Sequence, residues 1–465
     1  MQLSKLCMIG LYLLTTQVLS SPLIAGTAYL TNRLSDNVSA IDLDTHAVTT
    51  FAVGIQPWEI QATPDGSKLY VANNNSTFIS VIASATNSVS SVNLGVTSHL
   101  DLAITPDGSR VYVPSVGSNS LVAIATANDS IINNISFGAE SPYHLAIAPD
   151  GSKVYVTNFN VNKFFVVNTA SNAIVKSFSV PLGAVTTVFN PQGTKAYVLC
   201  NLADKVEVVD ASTDTIVASI SVGRQPTSIV FTPDGRKAYV ANIFQIPTGT
   251  ISVIDTTTDT VIKTIMLGAA ADRPYILAMK PDGSKAYVSC NGNSRVAVIN
   301  TTTDVIDGYI TVGSGPFDMA FQPDGLFAYV TNRNANTVSI IDSTSDTVAA
   351  TVAVGTNPWY LAIVQLLPPA GIRGAQKKDI FLTQTELYNV ITWDIPAGVR
   401  PAQYRIYRDA GLTQLIGTIA GASSGRLEFK DHNRRKNQSY SYYVVSVDAN
   451  GDVSSPSSIT ITPKK

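Results

Sequence analysis

A turn of Pro-Asp-Gly type recurs seven times along the chain, with its proline at 64, 106, 149, 191, 233, 281 and 323. Six copies read Pro-Asp-Gly and the fourth reads Pro191-Gln192-Gly193; the intervals are 42, 43, 42, 42, 48 and 42 residues. Three further patterns keep the same phase. A Tyr-Val-Thr-Asn type strand begins at Tyr29, Tyr70, Tyr112, Tyr155, Tyr197, Tyr239, Tyr287 and Tyr329, a Val-Ile-Asp type strand follows it, and a fourth strand ends in Gly, from Gly54 to Gly355. Each run is β-branched or aromatic and each gap is rich in Gly, Pro, Asn, Asp, Ser or Thr, so every unit reads as an antiparallel four-strand meander.

A period near 40–45 residues with four strands per unit is the mark of propeller blades. One four-stranded sheet cannot cover both of its faces, whereas sheets stacked around an axis can. The phase of the repeat predicts how the ring closes. The first unit, from Thr27 to Gly54, lacks its inner strand, and Pro358–Val364 is an inner strand with nothing after it. Joined, they make one composite blade and remove two open sheet edges. The expected fold is therefore all-β: an eight-bladed β-propeller closed by N- and C-terminal strands, with seven blades as the alternative, followed by a small β-sandwich.

The recurring Tyr-Val-Thr-Asn, with Pro-Asp-Gly before it and a Val-Ile-Asp strand after it, resembles the YVTN family of β-propeller repeats over residues 27–364. That resemblance implies a secreted, periplasmic or cell-surface protein and a binding scaffold without catalysis.

Residues 1–20 hold Lys5, an apolar run over 6–14 and small residues near 18–21, the pattern of a secretory signal peptide. No later stretch reaches the roughly 18–20 continuous apolar residues that spanning a bilayer needs, so the protein is not expected to span a membrane. Charged residues make up only 14% of the chain and the net charge is −2, which leaves no basic field for a phosphate backbone and argues against nucleic acid. Asn-x-Ser/Thr triplets at Asn37, Asn75, Asn134 and Asn300 matter only in a glycosylating host. Cys200 and Cys290 share one repeat position two units apart, too far for a disulfide, so two free thiols are expected. The 48-residue interval places three extra residues in Ile243–Gly249 and three in Ala269–Arg273, both at the sheet end opposite the Pro-Asp-Gly turns.

After Val364 the period stops. Residues 365–375 read as a Pro-rich linker and 376–465 as seven short strands, from Asp379–Thr383 and Val390–Asp394 to Ser458–Thr462. Trp393, the run Tyr404-Arg405-Ile406-Tyr407-Arg408 and Tyr440 before Ala449-Asn450-Gly451 resemble a fibronectin type III domain, with Tyr440 as its corner tyrosine. This segment carries 12 Lys+Arg against 8 Asp+Glu, densest at His432-Asn433-Arg434-Arg435-Lys436, which reads as a solvated loop or as a contact for an anionic surface.

No phosphate loop, HExxH, CxxCH or GxSxG elbow occurs, and no cofactor is expected. Chemistry on a propeller belongs where equivalent positions converge, at the axis or on one face. Five residues before each turn proline lie Glu59, Asp101, His144, Thr186, Ser228, Ile276 and Asp318, with Tyr360 as the composite equivalent. Glu59, Asp101 and His144 sit in consecutive units, with His99 beside them. They are candidates for an acid–base set or, as Glu59, His99, Asp101 and His144, for a metal, against the reading of a polar rim around a wet channel. One position earlier stand Trp58, Tyr143, Tyr275, Phe317 and Trp359: an exposed arc for stacking on sugars or peptides, or rings that plug gaps between blades. The first expectation is a monomeric, secreted or cell-surface scaffold binding a protein or carbohydrate partner through Trp58, Tyr143, Tyr275, Phe317, Trp359 and Asp318. The alternative is a lactonase-like hydrolase or lyase at the channel mouth using Glu59, Asp101 and His144.

Overall fold

The glycine of each Pro-Asp-Gly turn is left-handed, with φ between 69° and 74° from Gly66 to Gly325. A side chain at that φ costs roughly 1 kcal/mol, so glycine is what lets the chain reverse there. The aspartate completes the turn: Asp65 accepts from the Thr63 hydroxyl and the Ser67 amide, at 2.5 and 3.0 Å. Local chemistry thus turns the chain, and the apolar runs on either side pair.

The computed structural model describes residues 26–462 apart from 160, 245–247, 269–271, 367, 381–384, 396–400, 423–424, 433, 436, 449–450 and 452. The expected signal peptide lies outside the described residues, as do parts of both insertions and of the 432–436 basic run. Strands dominate, and the one helical turn described is the short 3-10 segment Val116–Ser118.

Eight four-stranded antiparallel sheets follow one another, each in the spatial order of the chain except one. The exception is composite. Its strands Gly26–Asn32, Asn37–Asp42 and Val48–Ala52 are completed by Pro358–Gln365, in a register that sets Thr27 against Val364 and Tyr29 against Ala362. The inner strands of successive sheets touch all the way round, from Pro57–Ala62 back to Pro358–Gln365. Apolar layers fill every space between sheets. One side of the composite sheet packs Leu30, Ile41 and Leu361 on Tyr329 and Ile340, and the other packs Tyr29, Val38 and Ala40 on Ile60, Leu69 and Ile82. In the third sheet from the N-terminus the inner strand shrinks to Ala103–Ile104, after an irregular link in which Ser98 is left-handed.

A recurring polar cluster pins neighbouring sheets together at the Pro-Asp-Gly end. The tyrosine of one sheet donates to an aspartate in the outer turn of the next, and a lysine two residues before that tyrosine pairs with the same carboxylate. Tyr70, Tyr155, Tyr197 and Tyr287 meet Asp129, Asp214, Asp259 and Asp346 at 2.5–2.7 Å. Tyr239 meets Asp304 likewise. Lys68, Lys153, Lys195, Lys237 and Lys285 complete the clusters at 2.6–2.8 Å. Among the described residues three seams lack the ion pair: Tyr112 uses Asn172, Tyr29 uses Asn87, and Tyr329 meets Gln322 of its own sheet, because the left-handed turn position opposite it is His46. Two of these three seams flank the composite sheet.

The segment after Gln365 departs from expectation at its start. Residues 370–375, read as linker, belong to a strand Ala370–Ile380 that pairs with Thr385–Asp394, so only 366–369 connect the two parts. The strand expected at Asp379–Thr383 thus begins nine residues earlier. Alternation of small and charged residues over 370–378 hid it, since such an edge strand buries little. With Arg426–Asp431 these strands form a three-stranded sheet, beside a four-stranded one ordered Leu415–Ala420, Gln403–Tyr407, Tyr440–Val447 and Ser457–Ile461. Trp393, Tyr404, Ile406, Tyr442 and Val444 fill the space between them, and the Tyr440 hydroxyl accepts from the Arg435 amide at 3.0 Å. Part of the basic run is engaged: Arg434 lies 3.4 Å from Asp431 and over the Tyr440 ring, and His432 stacks on Tyr388.

Cys200 and Cys290 are free and buried, and burial above all pushes both thiols up to about 12, far from a reactive thiolate.

Candidate functional site

The inner strands begin at the end opposite the Pro-Asp-Gly turns, and there eight equivalent positions face one another. Seven of them, all but Asp318, line a cavity of about 520 Å³. Trp58, Tyr143, Tyr275, Trp359 and Tyr360 supply its rings, Glu59, Asp101 and His144 its titratable groups, and Thr186, Asn201, Thr227 and Ser228 a hydroxyl and amide wall. Phe317 and Asp318 sit in the same row but outside the cavity lining.

The row carries a second bonding pattern that sequence reasoning missed. Asp101 accepts from its neighbour Leu102 and, with its other oxygen, from Leu145 of the next sheet, at 2.8 and 2.9 Å. Asp318 takes the Leu361 amide at 2.9 Å and Ser228 the Leu277 amide at 3.1 Å. A short side-chain acceptor at this position therefore cross-links adjacent inner strands, satisfying an amide that the sheet ladder leaves open. The signal was present as an Asp or Ser recurring five residues before the turn proline.

Glu59 is one methylene longer and makes no such link. Burial first, then the charges of Asp101 and Asp318, push its carboxyl well above the usual carboxylate range, against a smaller pull from Gln61. Burial raises Asp101 too, opposed by His144 and by the Leu145 and Leu102 amides. Asp318 is pushed up to about 7 by burial, despite its two amide donors. Burial and the charges of Glu59 and Asp318 raise Tyr360 far above an ordinary phenol. His144 Nε2 stands 3.7 Å from Asp101 Oδ2. His99 does not join the set: it is fully buried, with Nε2 on the Val96 carbonyl at 2.8 Å and its pKa lowered by burial. The irregular link around Ser98 turns it away. Among the described residues no three His, Cys, Asp or Glu side chains come close enough to hold a metal ion, so the four-residue ligand set is not assembled.

Four of the five rings form a continuous row, and two of those four are buried. Tyr275–Phe317, Phe317–Trp359 and Trp359–Trp58 have ring centroids 4.8, 4.5 and 4.4 Å apart. Phe317 is fully buried and Trp359 is 9% exposed, so these two plug the gaps beside the composite sheet and offer no stacking face. Trp58, Tyr143 and Tyr275 are half-buried and do face the cavity. The two insertions also meet at this end, where the Gly249 amide donates to the Asp272 carbonyl at 3.1 Å.

The raised carboxyls give stability a definite pH dependence. Asp318 holds its proton when folded up to about pH 7, whereas an unfolded aspartate loses it near 4. Between those values the folded state binds more protons, so stability falls as pH rises and the full cost stands above 7. Asp318→Asn keeps an acceptor for Leu361 and should stabilise the protein at pH 8 by on the order of 2 kcal/mol, discounted for water at the channel wall. Near pH 4 it should change little. Urea unfolding at the two pH values checks this; equal shifts at both would show that Asp318 is not the group responsible.

A family profile described as a YNCE-like beta-propeller matches residues 3–189. The chain is a β-propeller. A search of curated proteins finds no match. Solved structures of low identity share the propeller's architecture. Hydrazine synthase from Kuenenia stuttgartiensis matches at TM-score 0.53 and 22% identity, over 64% of this chain and 99% of that one. The dihydro-heme d1 dehydrogenase NirN matches at 0.63 and 18%, over 74% and 75%. A functionally unknown protein from Desulfotomaculum acetoxidans matches at 0.53 and 15%, over 73% and 99%. At these identities the likeness is one of fold.

Proposed function

We propose that this propeller is a non-catalytic binding scaffold, secreted or displayed at the cell surface, that engages a glycan or protein partner at the insertion-bearing end of its channel. The observation that carries the reading is the division of labour at that end. Asp101 and Asp318 are spent on backbone amides, while the open cavity sets half-exposed rings against Thr186, Thr227, Ser228 and Asn201, whose bonds to Tyr275, Leu277 and Pro226 use only part of their capacity. Rings with hydrogen-bonding groups opposite suit a ligand that has both flat apolar faces and polar edges. The apolar run near the N-terminus supports export, and the two-sheet C-terminal unit suits a fibronectin type III-like spacer.

The rival is a hydrolase or lyase in which Glu59, its carboxyl raised well above the usual range by burial, acts as general acid beside His144. The approach of His144 to Asp101 at 3.7 Å favours it. Glycan-array binding, run alongside ester and lactone turnover, decides between them. Trp58→Ala is the informative variant, because Trp58 is half-exposed to the cavity whereas Trp359, at its edge, is buried between the sheets. Binding lost in Trp58→Ala, without turnover in the native protein, is the expected result. Turnover abolished by Glu59→Gln would replace the scaffold with the enzyme.

A further inference from the structure

Two arginines stand over the plugged side of this mouth. Arg33 and Arg333 occupy one repeat position, directly after the strands Gly26–Asn32 and Phe327–Asn332. The other six units carry Asn74, Val116, Phe159, Asn201, Ile243 and Asn291 there. The Arg33 guanidinium lies 4.7 Å from the Trp58 ring centre and 5.1 Å from that of Trp359. Arg333 lies 4.3 Å from Phe317 and 4.8 Å from Trp359. Both cations therefore meet the same indole.

Among the described residues neither arginine has a carboxylate partner, and the Nε–H of each is buried without an acceptor. Burial lowers the Arg333 pKa, and Arg33 lowers it further against the Tyr275 and Tyr360 hydroxyls. Two like charges are thus held together by ring faces, with no counter-charge of their own. Ring contacts stabilise a guanidinium through its face and make no use of its N–H edge. That edge is a fork matched to a planar acid.

We infer that Arg33 and Arg333 are the acid-recognition pair of the channel mouth, and that the ligand is a carboxylated saccharide. This deepens the scaffold reading and rests on it. A saccharide fits better than an acidic peptide because the wall beyond the arginines pairs the rings of Trp58, Tyr143 and Tyr275 with Thr186, Thr227, Ser228 and Asn201. The interior is lined by the carboxyls of Glu59 and Asp101 and by no lysine or arginine, so the acid group stays on the rim and a neutral ring faces the cavity.

The test titrates the full chain with a short oligogalacturonate, and with the same oligosaccharide methyl-esterified, by calorimetry and by tryptophan fluorescence. The acid form should bind at least roughly tenfold more tightly than the ester, as charge-assisted hydrogen bonds allow. Arg33→Gln and Arg333→Gln should each cost the acid form about that factor and leave the ester unchanged. Arg33→Lys and Arg333→Lys, which keep the charge and the ring contact, should retain part of the preference and serve if the glutamine variants fail to fold. Equal binding of acid and ester, lost in Trp58→Ala but indifferent to the arginines, would overturn the acid pair and leave the scaffold reading standing. Acid binding that survives Trp58→Ala and the arginine variants alike would place the site elsewhere and sink both. No binding of either form at millimolar concentration would overturn the inference.

Discussion

Replacing Trp359 with alanine is expected to destabilise the protein by about 3–5 kcal/mol, the usual cost of emptying a buried indole site. Its position makes the loss severe. Trp359 stacks on Phe317 across one seam of the composite sheet and on Trp58 across the other, and both arginines rest on it. Those are the two seams at which Tyr329 and Tyr29 find no Lys–Asp partner. The strand that closes the ring is thus held at one end by aromatic packing where most other seams use ion pairs at the opposite end. Trp58→Ala, which removes a half-exposed ring touching one seam, should cost clearly less. Chemical denaturation of both variants measures the difference; a loss below about 1 kcal/mol for Trp359→Ala would mean that the ring layer does not secure the closure.

Asp304→Ala should cost about 3 kcal/mol, in two separable parts. The carboxylate accepts from Tyr239 and from Lys237 Nζ at 2.7 Å. Deleting it strands a lysine that is three-quarters buried, which costs about 2 kcal/mol after allowance for its access to water. The residue also has φ of 54°, where alanine adds roughly 1 kcal/mol. Asp304→Gly removes the second part only and should recover about that 1 kcal/mol. Asp304→Asn keeps the backbone preference and one acceptor, as Asn172 does naturally opposite Tyr112, and should be the mildest. If alanine and glycine prove equally costly, the left-handed turn contributes nothing and the ion cluster accounts for the whole loss.

The composite sheet is legible in the sequence. An inner strand missing at Thr27 and a spare one at Pro358 can satisfy their backbone groups only with each other, and Thr27 does pair with Val364. The converging row at Glu59, Asp101 and His144 followed from the same phase. What the repeat could not give was what each side chain touches. The neighbours of Asp101, Trp359 and Tyr239 lie on adjacent sheets, some 40 to 65 residues away or, for Trp58 against Trp359, across the ring closure, and period-two alternation says which face a residue takes but not what it meets there. So Asp101 became an amide acceptor, Trp359 a plug, and the motif tyrosine one arm of an ion cluster. His99, two residues from Asp101, was turned away by one left-handed serine.

Sequence alone therefore determined the propeller's strands, their order and the end of the disc where functional positions gather, because these depend on turn chemistry and local alternation. Tertiary structure alone decided which acids are free and which rings are open. Those properties depend on burial and on partners supplied by the adjacent sheet, and no local pattern encodes them.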